Sequence, residues 1–269
     1  MRTIPSIALS FILIALASAA VRAEVRTRAV EYRDGDAVLE GFLAYDDAKV
    51  KPGGTRAPGV LIIHQWLGLT ENERMRARML AELGYVAFAA DIYGKGDRPA
   101  DRSEAPRFAG KYKGDRALFR RRLNLGLAEL GRQSGVDPSR LAAVGYCFGG
   151  TGVLELARSG AEVRGVVSFH GGLDSPSPED GKKIRSKVLV LHGAADPFVP
   201  EKDIDAFKKE LDGARVDWQM VYYSGAVHAF TQKEAGSDTS RGAAYDASAD
   251  RRSWAAMRNF FDEIFAPAR

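Results

Sequence analysis

The sequence predicts an α/β fold: a mostly parallel central sheet with helices on both faces and an antiparallel N-terminal edge. Three observations predict it. Short continuous apolar runs, such as Gly59-Val60-Leu61-Ile62-Ile63, have the pattern of strands covered on both faces. Helix-like stretches alternate with these runs along the chain, as parallel strands require of their connections. Ahead of them, residues 25–32 and 37–45 alternate apolar and polar side chains, as half-buried antiparallel strands do.

The elements follow in order. Asp34-Gly35 is a hairpin signal between the first two strands. Lys51-Pro52-Gly53-Gly54 marks a loop, and residues 59–63 form the first buried strand. A helix then starts at a capping box of Thr70 and Glu73. It is expected to bury Met75, Met79, Leu80 and Leu83 and to end at Gly84. Further buried strands are expected at 85–90, 141–145, 165–169 and 188–191, and another at 216–222. Helices are expected at 115–130, 149–158 and 201–211. A final helix presents Trp254, Met257, Phe260, Phe261 and Ile264 on one face. No repeat or linker divides the chain, so residues 24–269 are expected to form one domain.

Residues 1–23 read as a secretory signal preceding that domain. Arg2 supplies the positive start, and residues 7–17 are uncharged and strongly apolar. Val21-Arg22-Ala23 offers a cleavage site, with Ala19 as a second option. The apolar run is shorter than the roughly 20 residues of a membrane span, although an uncleaved anchor is the alternative. Export to the periplasm or medium is therefore expected, with no stable membrane insertion after cleavage.

Composition excludes several classes. Of 269 residues, 45% are hydrophobic and 28% charged, which excludes a disordered or collagen-like chain. The formal charge of +4 is too mild and too evenly spread to suggest nucleic acid. A single cysteine, Cys147, excludes an intramolecular disulfide framework and any multi-cysteine zinc site. No His, Asp or Glu cluster has metal-ligand spacing, so a metalloenzyme is not expected.

Gly145-Tyr146-Cys147-Phe148-Gly149-Gly150 follows a buried strand and opens a helix. A nucleophile placed on such a sharp turn needs neighbours with almost no side chain, which the glycines provide. The helix N-terminus favours negative charge and so lowers a thiol pKa. The bland alternative is a buried structural cysteine at a glycine-rich strand end. In this chain order an acid and then a histidine should follow the nucleophile. Four histidines exist: His64, His170, His192 and His228. Order disfavours the first two, and His192 ends a strand. His228 lies in a loop after the last strand, and Asp196 lies in another loop at a strand end. Asp196 would hold the tautomer and orientation of the His228 imidazole, although an Asp before Pro197 also suits an ordinary turn. The oxyanion would be held by the backbone N–H of Phe148 and by that of Gln65 or Trp66. Trp66, Tyr93, Phe198 and Phe230 are candidates for the pocket.

These motifs resemble the dienelactone hydrolase family, a cysteine branch of the α/β-hydrolase fold. The resemblance rests on Gly-Tyr-Cys-Phe-Gly-Gly at 145–150, His-Gln-Trp-Leu-Gly at 64–68 and Ala-Asp-Ile-Tyr at 90–93. His-Gly-Ala-Ala-Asp at 192–196 and Val-His-Ala-Phe at 227–230 complete it. It implies a triad of Cys147, His228 and Asp196 and hydrolysis of lactones or activated esters through a thioester, without metal or cofactor. Two positions depart from the pattern. Gln65 stands where members of the family commonly carry a carboxylate, and Gln232 stands where dienelactone enzymes carry an Arg that binds substrate. Thiol activation then rests on His228 and the helix end.

The expected function is therefore an exported hydrolase of lactone or ester substrates acting through Cys147. A general carboxylesterase or thioesterase on the same triad is one alternative, and a non-catalytic binding protein of the same fold is another. Between Asp91 and Arg122 the chain carries ten Lys or Arg against five Asp or Glu. A cation there could bind an anionic substrate, against the plainer reading of a solvated basic helix face at Arg120-Arg121-Arg122.

Overall fold

The computed structural model describes residues 24–50, 54 and 56–266. The signal segment lies outside the described residues, as do three of the four residues of the 51–54 loop. The elements are β1 Val25–Asp34, β2 Ala37–Asp46, β3 Ala57–Ile63, α1 Glu71–Glu82 and β4 Val86–Ala90. After them come α2 Ala105–Gly114, α3 Arg116–Arg132, β5 Val136–Tyr146, α4 Phe148–Arg158 and β6 Gly165–Phe169. The series closes with β7 Lys187–Gly193, α5 Glu201–Ala214, β8 Trp218–Tyr223 and α6 Ala247–Ile264.

The strands form one sheet in the order β1-β2-β4-β3-β5-β6-β7-β8. β2 runs antiparallel to both β1 and β4, and every later pairing is parallel. This is the α/β-hydrolase fold with the expected antiparallel edge. The continuous apolar runs are explained by the two-residue period of a strand. Leu61, Ile63, Phe88, Val166 and Val190 face a core completed by α2, α3, α4 and α5. Their neighbours Val60, Ile62, Ala87, Val167 and Leu191 face a second core completed by α1 and α6. Each large apolar side chain buried there contributes roughly 1.5–3 kcal/mol. On α6, Met257, Phe260, Phe261 and Ile264 are buried as the periodicity predicts, while Trp254 is half-buried.

Two elements differ from expectation. α1 buries Asn72, Glu73, Arg76, Ala77, Leu80 and Ala81, whereas Met75 and Met79 are half-buried and Leu83 is exposed. Polar pairing decides the face. The Thr70 N–H and hydroxyl both donate to Glu73 Oε2, and Arg76 pairs with Asp250 at 2.6 Å. The small Ala77 and Ala81 side chains sit in the apolar layer of that face. The second difference is α2, which lies in the basic stretch and was not expected. Pro106 stands in its first turn, and Phe108 and Tyr112, one turn apart, bury its apolar side.

Candidate active site

The parallel strands deliver their C-terminal ends to one edge of the sheet, where ligands of open α/β sheets bind. Cys147 sits between β5 and α4 at φ 55°, a left-handed conformation uncommon for a side-chain-bearing residue. Close backbone approach explains the flanking glycines. A Cβ on Gly145 would lie 1.9 Å from the Gly149 carbonyl oxygen, and one on Gly149 would lie 2.2 Å from the Ile63 carbonyl oxygen. Two bonds hold the turn: the Cys147 N–H donates to the Phe169 carbonyl at 3.0 Å and to His170 Nδ1 at 3.2 Å.

Cys147, His228 and Asp196 are brought into one chain of contacts. His228 Nε2 is 3.1 Å from Cys147 Sγ, and His228 Nδ1 is 2.8 Å from Asp196 Oδ2. The other Asp196 carboxylate oxygen accepts the Phe198 N–H at 2.9 Å, which fixes the carboxylate plane. The His228 loop is braced from outside: its N–H donates to the Gly242 carbonyl, and its carbonyl accepts the Ala244 N–H. Burial pushes the Cys147 thiol up, but the His228 charge and hydrogen bond outweigh it. With help from the Phe148 N–H and Lys113, they bring the thiol below its ordinary value. Burial likewise pushes His228 down, yet the Cys147 thiolate and the Asp196 carboxylate lift it to about 10. Each group therefore favours the charged form of the other.

Above the thiol lies a cavity of about 670 Å³. Trp66, Phe148, Phe198 and Val199 give it apolar walls, with Phe198 exposed at the rim. Tyr93 and Phe230 do not line it, which corrects the expectation for both. The Tyr93 ring is buried against His64, and its hydroxyl donates to the Trp66 carbonyl, so it supports the wall from behind. Phe230 is fully buried between His170 and Tyr223. Adjacency to a motif residue did not fix the direction of either ring.

Gln65 is buried and absent from the cavity wall; its side-chain carbonyl accepts the Leu67 N–H at 3.0 Å. Gln232 does line the cavity, and its side-chain nitrogen lacks a hydrogen-bond partner. The cavity also carries Arg102, Lys113 and Arg241, and no carboxylate lines it among the described residues. Arg120, Arg121 and Arg122 are neither at the cavity nor simply solvated. Arg120 pairs with Glu155 and Asp180, while Arg121 and Arg122 both pair with Asp34. His64, His170 and His192 are buried outside the cavity lining. Arg241 and His170 also adjoin the site: chain order had set His170 aside as the base, and Arg241 lies in no periodic segment or recognisable motif.

Residues 43–265 match the model of the dienelactone hydrolase family. The chain belongs to the dienelactone hydrolase family. Among solved structures, it resembles a protein named m3DLH at 43% identity and a TM-score of 0.85, covering 90% of this chain and 99% of that one. It also resembles P91, a dienelactone hydrolase-like promiscuous phosphotriesterase from metagenomic libraries, at 41% identity and a TM-score of 0.84, with the same coverage. A "Probable 2-oxo-3-(5-oxofuran-2-ylidene)propanoate lactonase" from Bradyrhizobium sp is 28% identical over 214 residues, covering 76% of this chain and 85% of the relative. This dienelactone hydrolase family member is thus a hydrolase acting on lactone or ester bonds, and the non-catalytic alternative falls away.

Proposed function

We propose that the protein hydrolyses lactones and activated carboxylic esters through a thioester on Cys147. The single observation that carries this reading is the contact of Cys147 Sγ with His228 Nε2, backed by Asp196, on the floor of the cavity. The thiolate attacks the acyl carbon, and the carbonyl electrons move to oxygen. The carbon–oxygen bond to the leaving group then breaks, and His228 gives its Nε2 proton to the departing oxygen. Water next attacks the thioester while His228 Nε2 takes its proton. Loss of the thiolate releases the acid and restores the ion pair.

Two donors serve the oxyanion in this scheme. The Phe148 N–H already acts on the sulfur. For the second, the Gln65 carbonyl interacts with His64 Nδ1 at 2.6 Å and accepts the Gly68 N–H at 3.1 Å. In a planar trans peptide the Trp66 N–H points the opposite way, which favours Trp66 over Gln65 as the donor. The reading also sets substrate preference. A thiolate leaves a tetrahedral intermediate more readily than an alkoxide does, so forward collapse needs an enolate or aryloxide leaving group. Arg102, Lys113 and Arg241 favour an anionic acyl or leaving portion. Export through residues 1–23, and a single domain over 24–269, belong to the same proposal.

Intact-mass measurement after mixing with a panel of enol lactones, aryl esters and thioesters tests the chemistry. A transient acyl adduct is expected in wild type and none in Cys147→Ala, whose turnover should fall at least about 10⁴-fold. Full turnover by Cys147→Ala would remove the mechanism, and preference for thioesters would favour a thioesterase.

A further inference from the structure

His170 follows β6 and is fully buried. It adopts φ 40°, a conformation that costs a residue with a Cβ and persists only where surroundings enforce it. Its ring is bonded on both sides. Nδ1 accepts the Cys147 N–H at 3.2 Å, and Nε2 lies 2.8 Å from the Thr231 hydroxyl. The main-chain donor fixes the tautomer: Nδ1 carries no hydrogen, so Nε2 carries it and donates to Thr231. Thr231 lies three residues after His228 on the same loop, and its carbonyl accepts from Arg76 at 2.9 Å. The His170 ring also stands edge-on to His228 at 5.3 Å and to Phe230 at 5.0 Å.

We infer that His170 is a positioning residue: a neutral imidazole joining the backbone of Cys147, through Thr231, to the loop that carries His228. This rests on the proposed roles of Cys147 and His228. Those two side chains come from elements 81 residues apart, and their 3.1 Å contact must be reproducible to within a fraction of an ångström. By backbone bonds the Cys147 turn and the His228 loop are braced separately, the first to β6 and the second to Ala195 and residues 242–246. His170 bonds both. It reaches neither the cavity nor a transferable proton, so it takes no part in bond making.

The role demands that His170 stay uncharged. A protonated ring would turn an Nδ1–H against the Cys147 N–H and set a second cation beside His228. Burial, the largest cause, holds His170 well below the usual histidine range, and the charges of His228, Arg76 and His192 act in the same direction. Tyr146 also faces the ring, at 6.2 Å.

The test uses Thr231→Val, Thr231→Ser, His170→Asn and His170→Phe, with melting curves to score folding. Steady-state kinetics on an aryl ester and the pH profile of Cys147 alkylation by iodoacetamide give the readouts. Thr231→Val should lower kcat about tenfold with KM changed less than about twofold, and should raise the alkylation midpoint as the imidazolium contact loosens. Thr231→Ser should restore most of the loss. His170→Asn keeps an acceptor for the Cys147 N–H but breaks the link to Thr231, and should lower kcat about as far as Thr231→Val. If folded Thr231→Val and His170→Asn keep the wild-type kcat and alkylation profile, the inference is overturned, even if His170→Phe does not fold. Cys147→Ala in parallel separates the two levels: if it keeps activity, the triad itself fails, and if it alone loses activity, only the role of His170 fails.

Discussion

Cys147 Sγ and His228 Nε2 are 3.1 Å apart, and each shifts the titration of the other in opposite directions. The thiol is lowered, so its thiolate persists to lower pH than that of an ordinary cysteine. The imidazole is raised to about 10, so its proton persists as pH rises to that value. The ion pair therefore fills the window between. Alkylation of Cys147 by iodoacetamide should therefore titrate at lower pH than that of an ordinary thiol. In His228→Ala, burial is no longer opposed by the imidazolium, and the midpoint should move up. An unchanged midpoint in that variant would show that the thiolate is held by other groups.

In the proposed mechanism Asp196 acts only through His228. It presents Oδ2 to Nδ1 at 2.8 Å and is itself oriented by the Phe198 N–H. Asp196→Asn keeps the shape but can turn a donor toward Nδ1, which favours the wrong tautomer. Turnover of an activated ester should fall about 10²- to 10⁴-fold with KM little changed. The upper limb of the pH profile should also move down from about 10, because a carboxylate that raises His228 is gone. Wild-type kcat in this variant would mean that the carboxylate only closes a turn.

The parts of this site legible in the sequence are those whose chemistry forces a local pattern. Gly145 and Gly149 could be read because backbone fills the space of any Cβ there. Asp196 and His228 could be read because the order of strands carries them to one sheet edge. The buried face of α1 could not be read. Arg76 and Glu73 are buried through bonds to Asp250 and Thr70, partners that periodicity does not reveal. Tyr93 and Phe230 sit beside motif residues yet turn into the core, because neighbouring side chains on a strand or tight loop point in different directions. Arg241 and His170 come from irregular segments, where only the folded chain places them.

The buried cluster joining α4 to α5 gives a stability prediction. Arg158 is fully buried, with Nε and Nη2 on the Glu210 carboxylate at 2.8 and 2.7 Å and Nη1 on Glu155 at 3.0 Å. Removing one member leaves a buried charge partly unpaired, which is costlier than never having built the pair. Glu210→Ala should lose about 3 kcal/mol in urea unfolding, the remaining Glu155 bond preventing a larger loss. Replacing both residues, as Arg158→Met with Glu210→Leu, should cost less than the single change. A single-variant loss under about 1 kcal/mol would show that water or Glu155 replaces the missing partner.

Charge at the cavity sets the last prediction. Arg102, Lys113 and Arg241 line it, and among the described residues no Asp or Glu does, so an anionic ester meets cations that no lining carboxylate opposes. Lys113 shares its charge with Asp174 at 3.8 Å and also lowers the thiol pKa, which makes it a poor test of binding alone. Arg102→Gln with Arg241→Gln isolates the field. For aryl esters matched except for a carboxylate, kcat/KM of the anionic member should fall about tenfold, a loss of about 1.4 kcal/mol. The neutral member should change much less. In the wild type, raising ionic strength from 0.01 to 1 M shortens the screening length from about 30 to 3 Å and should erode the same preference. Equal losses for both esters, or a preference indifferent to salt, would mean that the cations do not select the substrate.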